Sequence, residues 1–172
     1  MGEVVDVSMV SKTLNGYMQL LTFLTSYINE DYNIQSITAM DNWEYDNIVK
    51  LNSLSDAANK LAQEKIVCVD VKTTNYFLGV FVEKKGGIFY IDGWINPKDE
   101  ITGQDYERFL NSFVDAFKHN KSLEICGIGK EIFVDYDLGI AQAIENAENI
   151  DLWMVRSCDY ITSEKSKLIY IQ

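Results

Sequence analysis

Bases, histidine and proline are scarce in this sequence, and each scarcity closes off a class of function. Fifteen Lys and Arg stand against 26 Asp and Glu among 172 residues, a formal charge of −11, and only Arg108 and Arg156 carry a guanidinium. Nucleic acid is therefore not an expected partner, because phosphate binding needs clustered Lys and Arg. The single histidine, His119, leaves any Ser-His or Cys-His catalyst one residue to use. Nothing around it supplies an activated nucleophile; beside Lys118 and Lys121 it suits a cation at a helix C-terminus. Cys68, Cys126 and Cys158 are odd in number and lie far apart in apolar segments, the pattern of buried free thiols rather than disulfides or a zinc site. No run of about 18 apolar residues could cross a bilayer. The first residues carry Glu3 and Asp6 where a signal peptide bears bases, so a cytoplasmic protein without membrane contact is expected.

What is present is the material of one core. Hydrophobic residues make up 47% and charged residues 24%, an ordinary balance for a globular chain, and the length suits a single domain over residues 1–172. Val10, Leu14, Tyr17, Leu21, Leu24 and Ile28 follow 4-3 spacing and predict a helix of about five turns. Ile34 to Met40 and Trp43 to Leu51 read as a strand pair turning at Asp41-Asn42. Ser53 or Ser55 can cap a short helix bearing Leu54, Ala57 and Leu61, since Ser53-x-x-Asp56 has capping-box spacing. The period then changes to two. Ile66 to Lys72, Tyr76 to Glu83 and Gly87 to Ile95 predict a three-stranded meander. Pro97 ends that sheet, and Thr102-x-x-Asp105 opens a helix with Phe109, Phe113 and Phe117 on one side. Further strands are expected at Leu123 to Ile128, Ile132 to Val134, Leu152 to Ser157 and Leu168 to Ile171, with a helix from Asp137 to about Glu148. The fold class expected is α+β: a mostly antiparallel sheet with a central three-stranded meander, packed by about four helices.

Motifs for chemistry are few. Gly127-Ile128-Gly129-Lys130 lacks the full phosphate-loop spacing and carries Glu131 where a hydroxyl is required, so a turn between strands is the simpler expectation. Paired carboxylates recur, at Glu30-Asp31, Glu44 with Asp46, Asp99-Glu100 and Asp135 with Asp137. No segment has the oxygen and glycine pattern of an EF-hand, and with 26 acids chance pairs are expected. No metal or cofactor is called for.

The distribution of acids is more informative than their number. Between Lys12 and Lys50 stand Glu30, Asp31, Asp41, Glu44 and Asp46 with no base, and between Lys130 and Arg156 stand Glu131, Asp135, Asp137, Glu145, Glu148 and Asp151 with none either. Those windows hold the whole net charge, interleaved with Trp43, Tyr45 and Tyr136. Single-sign fields steer an opposite partner, and exposed aromatics anchor interfaces. Trp43, Glu44, Tyr45, Asp46, Asp135, Tyr136 and Asp137 are the partner-binding candidates; the competing reading makes the aromatics core and the acids a solvated face.

In its acidic stretches, Asp41-Asn42-Trp43-Glu44-Tyr45-Asp46 and Asp135-Tyr136-Asp137, the chain resembles the immunity proteins that bacteria co-encode with polymorphic or contact-dependent toxins. That resemblance of character, without a signature motif, implies a monomer or weak homodimer that is not an enzyme. It would neutralise a basic protein toxin domain, such as a nuclease. A DNA-mimicking inhibitor and a small carboxylate-dependent hydrolase or metal-dependent enzyme are the alternatives. Lys65, Lys72, Lys84, Lys85, Lys98 and Arg108 in the middle of the chain argue against a uniformly acidic DNA mimic.

Overall fold

The computed structural model describes residues 4–13, 30–99, 101, 103–160 and 168–172. Alternation of apolar and polar residues writes most of it as strand. Val5-Asp6-Val7-Ser8-Met9 alternates strictly, and β1 runs Val5–Ser11 with Val5, Val7 and Met9 buried. Then follow β2 (Asn33–Met40), β3 (Val49–Lys50), α1 (Leu54–Ala62), β4 (Ile66–Lys72), β5 (Tyr76–Lys85) and β6 (Ile88–Pro97). The chain continues with α2 (Gly103–His119), β7 (Leu123–Phe133), α3 (Ile140–Asn146), β8 (Glu148–Val155), a short 3-10 turn (Cys158–Tyr160) and β9 (Leu168–Tyr170).

All nine strands form one sheet in the order β3-β2-β4-β5-β6-β1-β7-β8-β9. Pairing is antiparallel except between β8 and β9. This corrects the expected α+β packing of about four helices on a sheet centred on a three-stranded meander: the architecture is one large mixed sheet, with three α-helices among the described residues. The reason lies in strand edges. Unpaired N–H and C=O groups at the margin of three strands need partners. The N-terminal segment supplies them by entering the middle of the sheet, where β1 pairs with both β6 and β7.

Local chemistry sets several boundaries. Ser53 caps α1 by accepting a 3.1 Å hydrogen bond from the Asp56 N–H. Lys85 pairs with Ile88, so Gly86 and Gly87 alone make the β5–β6 turn. Both have positive φ, 56° and 82°, as a two-residue hairpin loop of the primed type requires. Val10 lies in β1 rather than in a helix, and the rest of the helix expected through Ile28 falls almost wholly outside the described residues. Gly127 to Lys130 is the interior of β7, not a turn. The expected Trp43 to Leu51 strand shortens to β3, after a loop in which Tyr45 and Asn47 take positive φ. The last expected helix begins at Ile140 after Gly139, with no side-chain cap from Asp137.

The two faces of the sheet differ. On one, Val5, Val7 and Met9 join Val69, Val80, Ile95 and Ile128 under α1 and α2. Phe109, Phe113 and Phe117 of α2 are fully buried there, each worth about 2–3 kcal/mol by transfer from water. On the other, among the described residues, α3 and the segment 134–139 cover the end where Val10, Ile125, Trp153 and Val155 lie. The rest of that second face carries polar and aromatic side chains.

Candidate functional site

Register decides which side chains meet on the second face. Asp6 stands opposite Trp94, and Ser8 opposite both Asp92 on β6 and Gly127 on β7. Phe81 stands opposite Asp92 from β5. Two glycines then shape the surface. A Cβ on Gly79 would lie 2.1 Å from the Trp94 ring, and one on Gly127 would lie 2.5 Å from the Trp153 ring. Each indole is thus bedded on a glycine of the neighbouring strand. Trp94 leans over β5 and Trp153 over β7, and space is left above Asp6 and Ser8 on β1, between them.

That space is a cleft of two adjoining hollows, about 270 and 590 Å³, which share Asp92, Phe133 and Val134 in their walls. Asp6, Ser8 and Trp94 line the smaller hollow. Trp43, Glu83, Lys85 and Tyr90 line the larger, together with Asp135, Tyr136 and Asp137. One wall hangs on Asp6, whose Oδ2 accepts a 3.3 Å hydrogen bond from the Ile132 N–H, close to Glu131 at φ 54°. The segment beyond it turns back over the sheet. Tyr136 packs against Tyr90 with ring centroids 5.1 Å apart and planes tilted by 45°, and its hydroxyl lies 2.8 Å from Ser8 Oγ. Ser8 Oγ donates to Asp92 Oδ1 at 3.3 Å. A serine has one proton to donate, so Tyr136 donates to Ser8 in this chain.

Asp92 is the most perturbed acid of the cleft. The residue is exposed towards the hollow, while protein packs around it on the other sides; this partial desolvation pushes it up to about 6, with Ser8 opposing and Glu83 and Asp6 adding repulsion. Asp6 is raised too, by burial first and by Glu131, against the lowering effect of its backbone hydrogen bonds. Desolvation also raises Tyr136, which stays protonated and able to donate. At the mouth, Trp43 Nε1 donates to Glu83 Oε2 at 3.0 Å and meets Phe81 edge-on at 5.4 Å. Lys85 Nζ bridges Glu83 at 3.5 Å and Asp137 at 3.9 Å. The cleft therefore holds five acids (Asp6, Glu83, Asp92, Asp135, Asp137) and one base (Lys85).

Four of the seven residues singled out in the sequence meet here: Trp43 from one acid-rich window, and Asp135, Tyr136 and Asp137 from the other. Glu44, Tyr45 and Asp46 do not line the cleft. They belong to an exposed loop in which Asn42 Oδ1 accepts from the Glu44 and Asp46 N–H groups, with Tyr45 56% exposed. Sequence reasoning missed Asp6, Ser8, Glu83, Asp92 and Phe133. The signal was strongest at Asp6, where strict alternation marks a carboxylate on the face of a strand opposite the core; around Asp92 the aromatic Tyr90 and Trp94 share its face, so only the burial alternates.

Other candidates are settled by their surroundings. His119 ends α2 with Nδ1 2.7 Å from the Asp115 carbonyl oxygen. Cys126 is buried, Cys68 partly so, and Cys158 exposed, which corrects the expectation of three buried thiols. Among the described residues no three His, Cys, Asp or Glu are grouped to hold a metal ion, and no helix is long and apolar enough to cross a membrane. Comparison with protein families, curated proteins and solved structures finds no match.

Proposed function

We propose that this chain is a cytoplasmic binding protein that captures and neutralises a basic protein partner, in the manner of an immunity protein against its toxin, and that the acidic aromatic cleft is its contact surface. The observation that carries this reading is the convergence of Trp43 with Asp135, Tyr136 and Asp137, residues about ninety positions apart that share only their chemistry. Carboxylates at the mouth steer a cationic partner and speed its approach. Exposed rings at the rim, Trp43 at 43% and Phe133 at 62%, supply the large, stiff contact area that interface anchors use. Blocking follows if the partner's Lys and Arg are those it needs for its own anionic substrate.

The test is retention of partners from a lysate of the source cells at low salt, on immobilised wild-type protein and on a Glu83→Lys/Asp137→Lys variant, with elution by a salt gradient. A basic protein held by the wild type, released by salt, lost by the variant and inhibited in its own activity supports the reading. A partner held equally by both, or no basic partner at all, overturns it. A second reading, a carboxylate-dependent hydrolase, is favoured by one observation, the raised Asp92 in a hollow, since a carboxyl protonated near neutrality can serve as a general acid. Turnover of chromogenic glycosides or esters that Asp92→Asn abolishes would put that reading first.

A further inference from the structure

Lys85 is held at the mouth by Glu83 and Asp137, away from the two carboxylates on the cleft floor. Among the described residues Asp6 and Asp92 have no ion pair. Asp92 Oδ1 accepts from Ser8, while its second oxygen meets no donor among the described residues. Asp92 is exposed and Asp6 half-buried, on neighbouring strands beside an open hollow. The two like charges repel one another and are accessible to a counter-charge supplied from outside.

From this geometry we infer that the smaller hollow is the seat of one arginine side chain presented by the partner protein, its guanidinium shared between Asp92 and Asp6 and stacked against Trp94. The inference rests on the binding reading above for its source and on the hollow for its chemistry. Two features select a guanidinium. Asp6 and Asp92 are diagonal neighbours across the β1–β6 pair, Asp6 facing Trp94 and Asp92 facing Ser8, a relation that sets side chains about 7–8 Å apart. A planar group with five donors spans two such acceptors, whereas an ammonium is a point charge. Trp94, bedded on Gly79 and tilted against Phe81 at 5.3 Å, offers a flat ring beside the acids, on which guanidinium stacks well. A bare metal ion fits less well, because no third ligating side chain joins the two carboxylates among the described residues and the indole offers no oxygen.

The test is titration of the ¹⁵N-labelled protein with three blocked tripeptides, Gly-Arg-Gly, Gly-Lys-Gly and Gly-citrulline-Gly, followed by amide shifts at pH 7.5. The arginine peptide should shift the amides of residues 6–8, 92–94 and 132–134 in a saturable way. The lysine peptide should bind several-fold more weakly, and citrulline, isosteric but neutral, about tenfold or more. Asp92→Asn, which can still accept the Ser8 hydrogen bond, should weaken the arginine peptide about tenfold while keeping a dispersed spectrum. Equal binding of arginine and citrulline, shifts that map elsewhere, or an unchanged Asp92→Asn would each overturn the seat. The two readings fail separately. A basic protein lost by the mouth variant but still held by Asp92→Asn overturns the arginine seat and leaves the binding function. An arginine peptide seated in the hollow, with no protein partner retained, supports the seat and overturns the protein as its source.

Discussion

Asp92→Asn should stabilise the folded protein at neutral pH. Folded Asp92 titrates at about 6 against a starting value of 3.8, so between those values the folded state binds more protons than the unfolded one. Stability then falls as pH rises through that window, and the loss is complete above it. A shift of about two units corresponds to about 3 kcal/mol if taken whole. Because the carboxylate opens onto water, screening reduces the expected gain from asparagine to about 1 kcal/mol. Asparagine keeps the shape and an oxygen for Ser8 while removing the charge. Urea unfolding of both proteins, followed by tryptophan fluorescence at pH 4 and pH 7.5, should give a difference near zero at the lower pH and about 1 kcal/mol in favour of the variant at the higher. Charges remote from Asp92 contribute equally to both proteins and cancel, while the repulsion from Glu83 and Asp6 is removed with the charge and is part of the measured effect. A variant less stable at pH 7.5, or an equal difference at both values, would refute the claim that Asp92 is held at a cost. A charge that weakens the fold and is kept in a cleft is the mark of a residue placed for binding or chemistry rather than for stability.

Gly79→Ala should destabilise by about 1–3 kcal/mol, since its Cβ meets the Trp94 ring at 2.1 Å and overpacking costs that much; an unfolding midpoint equal to wild type would show that the indole moves freely. Arg156→Ala should cost about 2–3 kcal/mol, because Nε donates to the Leu123 carbonyl at 2.7 Å, a terminal nitrogen donates to those of Phe117 and Asn120, and the guanidinium covers the Phe117 ring at 4.4 Å. A loss under about 0.5 kcal/mol would mean that water serves those carbonyls as well. One thiol should react quickly with a disulfide reagent in the native state, and three after unfolding. Cys158 is exposed and Cys126 buried, while burial and the neighbouring Asp70 push Cys68 up to about 12, keeping it from the reactive thiolate form. Two fast native thiols would contradict that environment for Cys68.

Local patterns in the sequence determined the elements whose signals are themselves local. The period-two runs at Ile66 to Lys72 and Tyr76 to Glu83 are strands, Ser53 rather than Ser55 caps the short helix expected after it, and Phe109, Phe113 and Phe117 lie buried along one side of a helix. The concentration of acid into two windows was also legible, because charge needs no fold to be counted. Only the tertiary structure decided that the strand Val5–Ser11 enters the middle of the sheet, since the bonds that hold it there go to distant partners such as Ile95 and Ile128, and no short-range pattern records which strand edge another will fill. The cleft follows from that one placement. With β1 between β6 and β7, Asp6 and Ser8 come beside Asp92, Gly79 and Gly127 draw the indoles apart, and Tyr136 closes over the floor. Trp43 meets Asp137 across the mouth because both acid-rich windows reach the same face of one sheet, a proximity set by hydrogen-bond register rather than by distance along the chain.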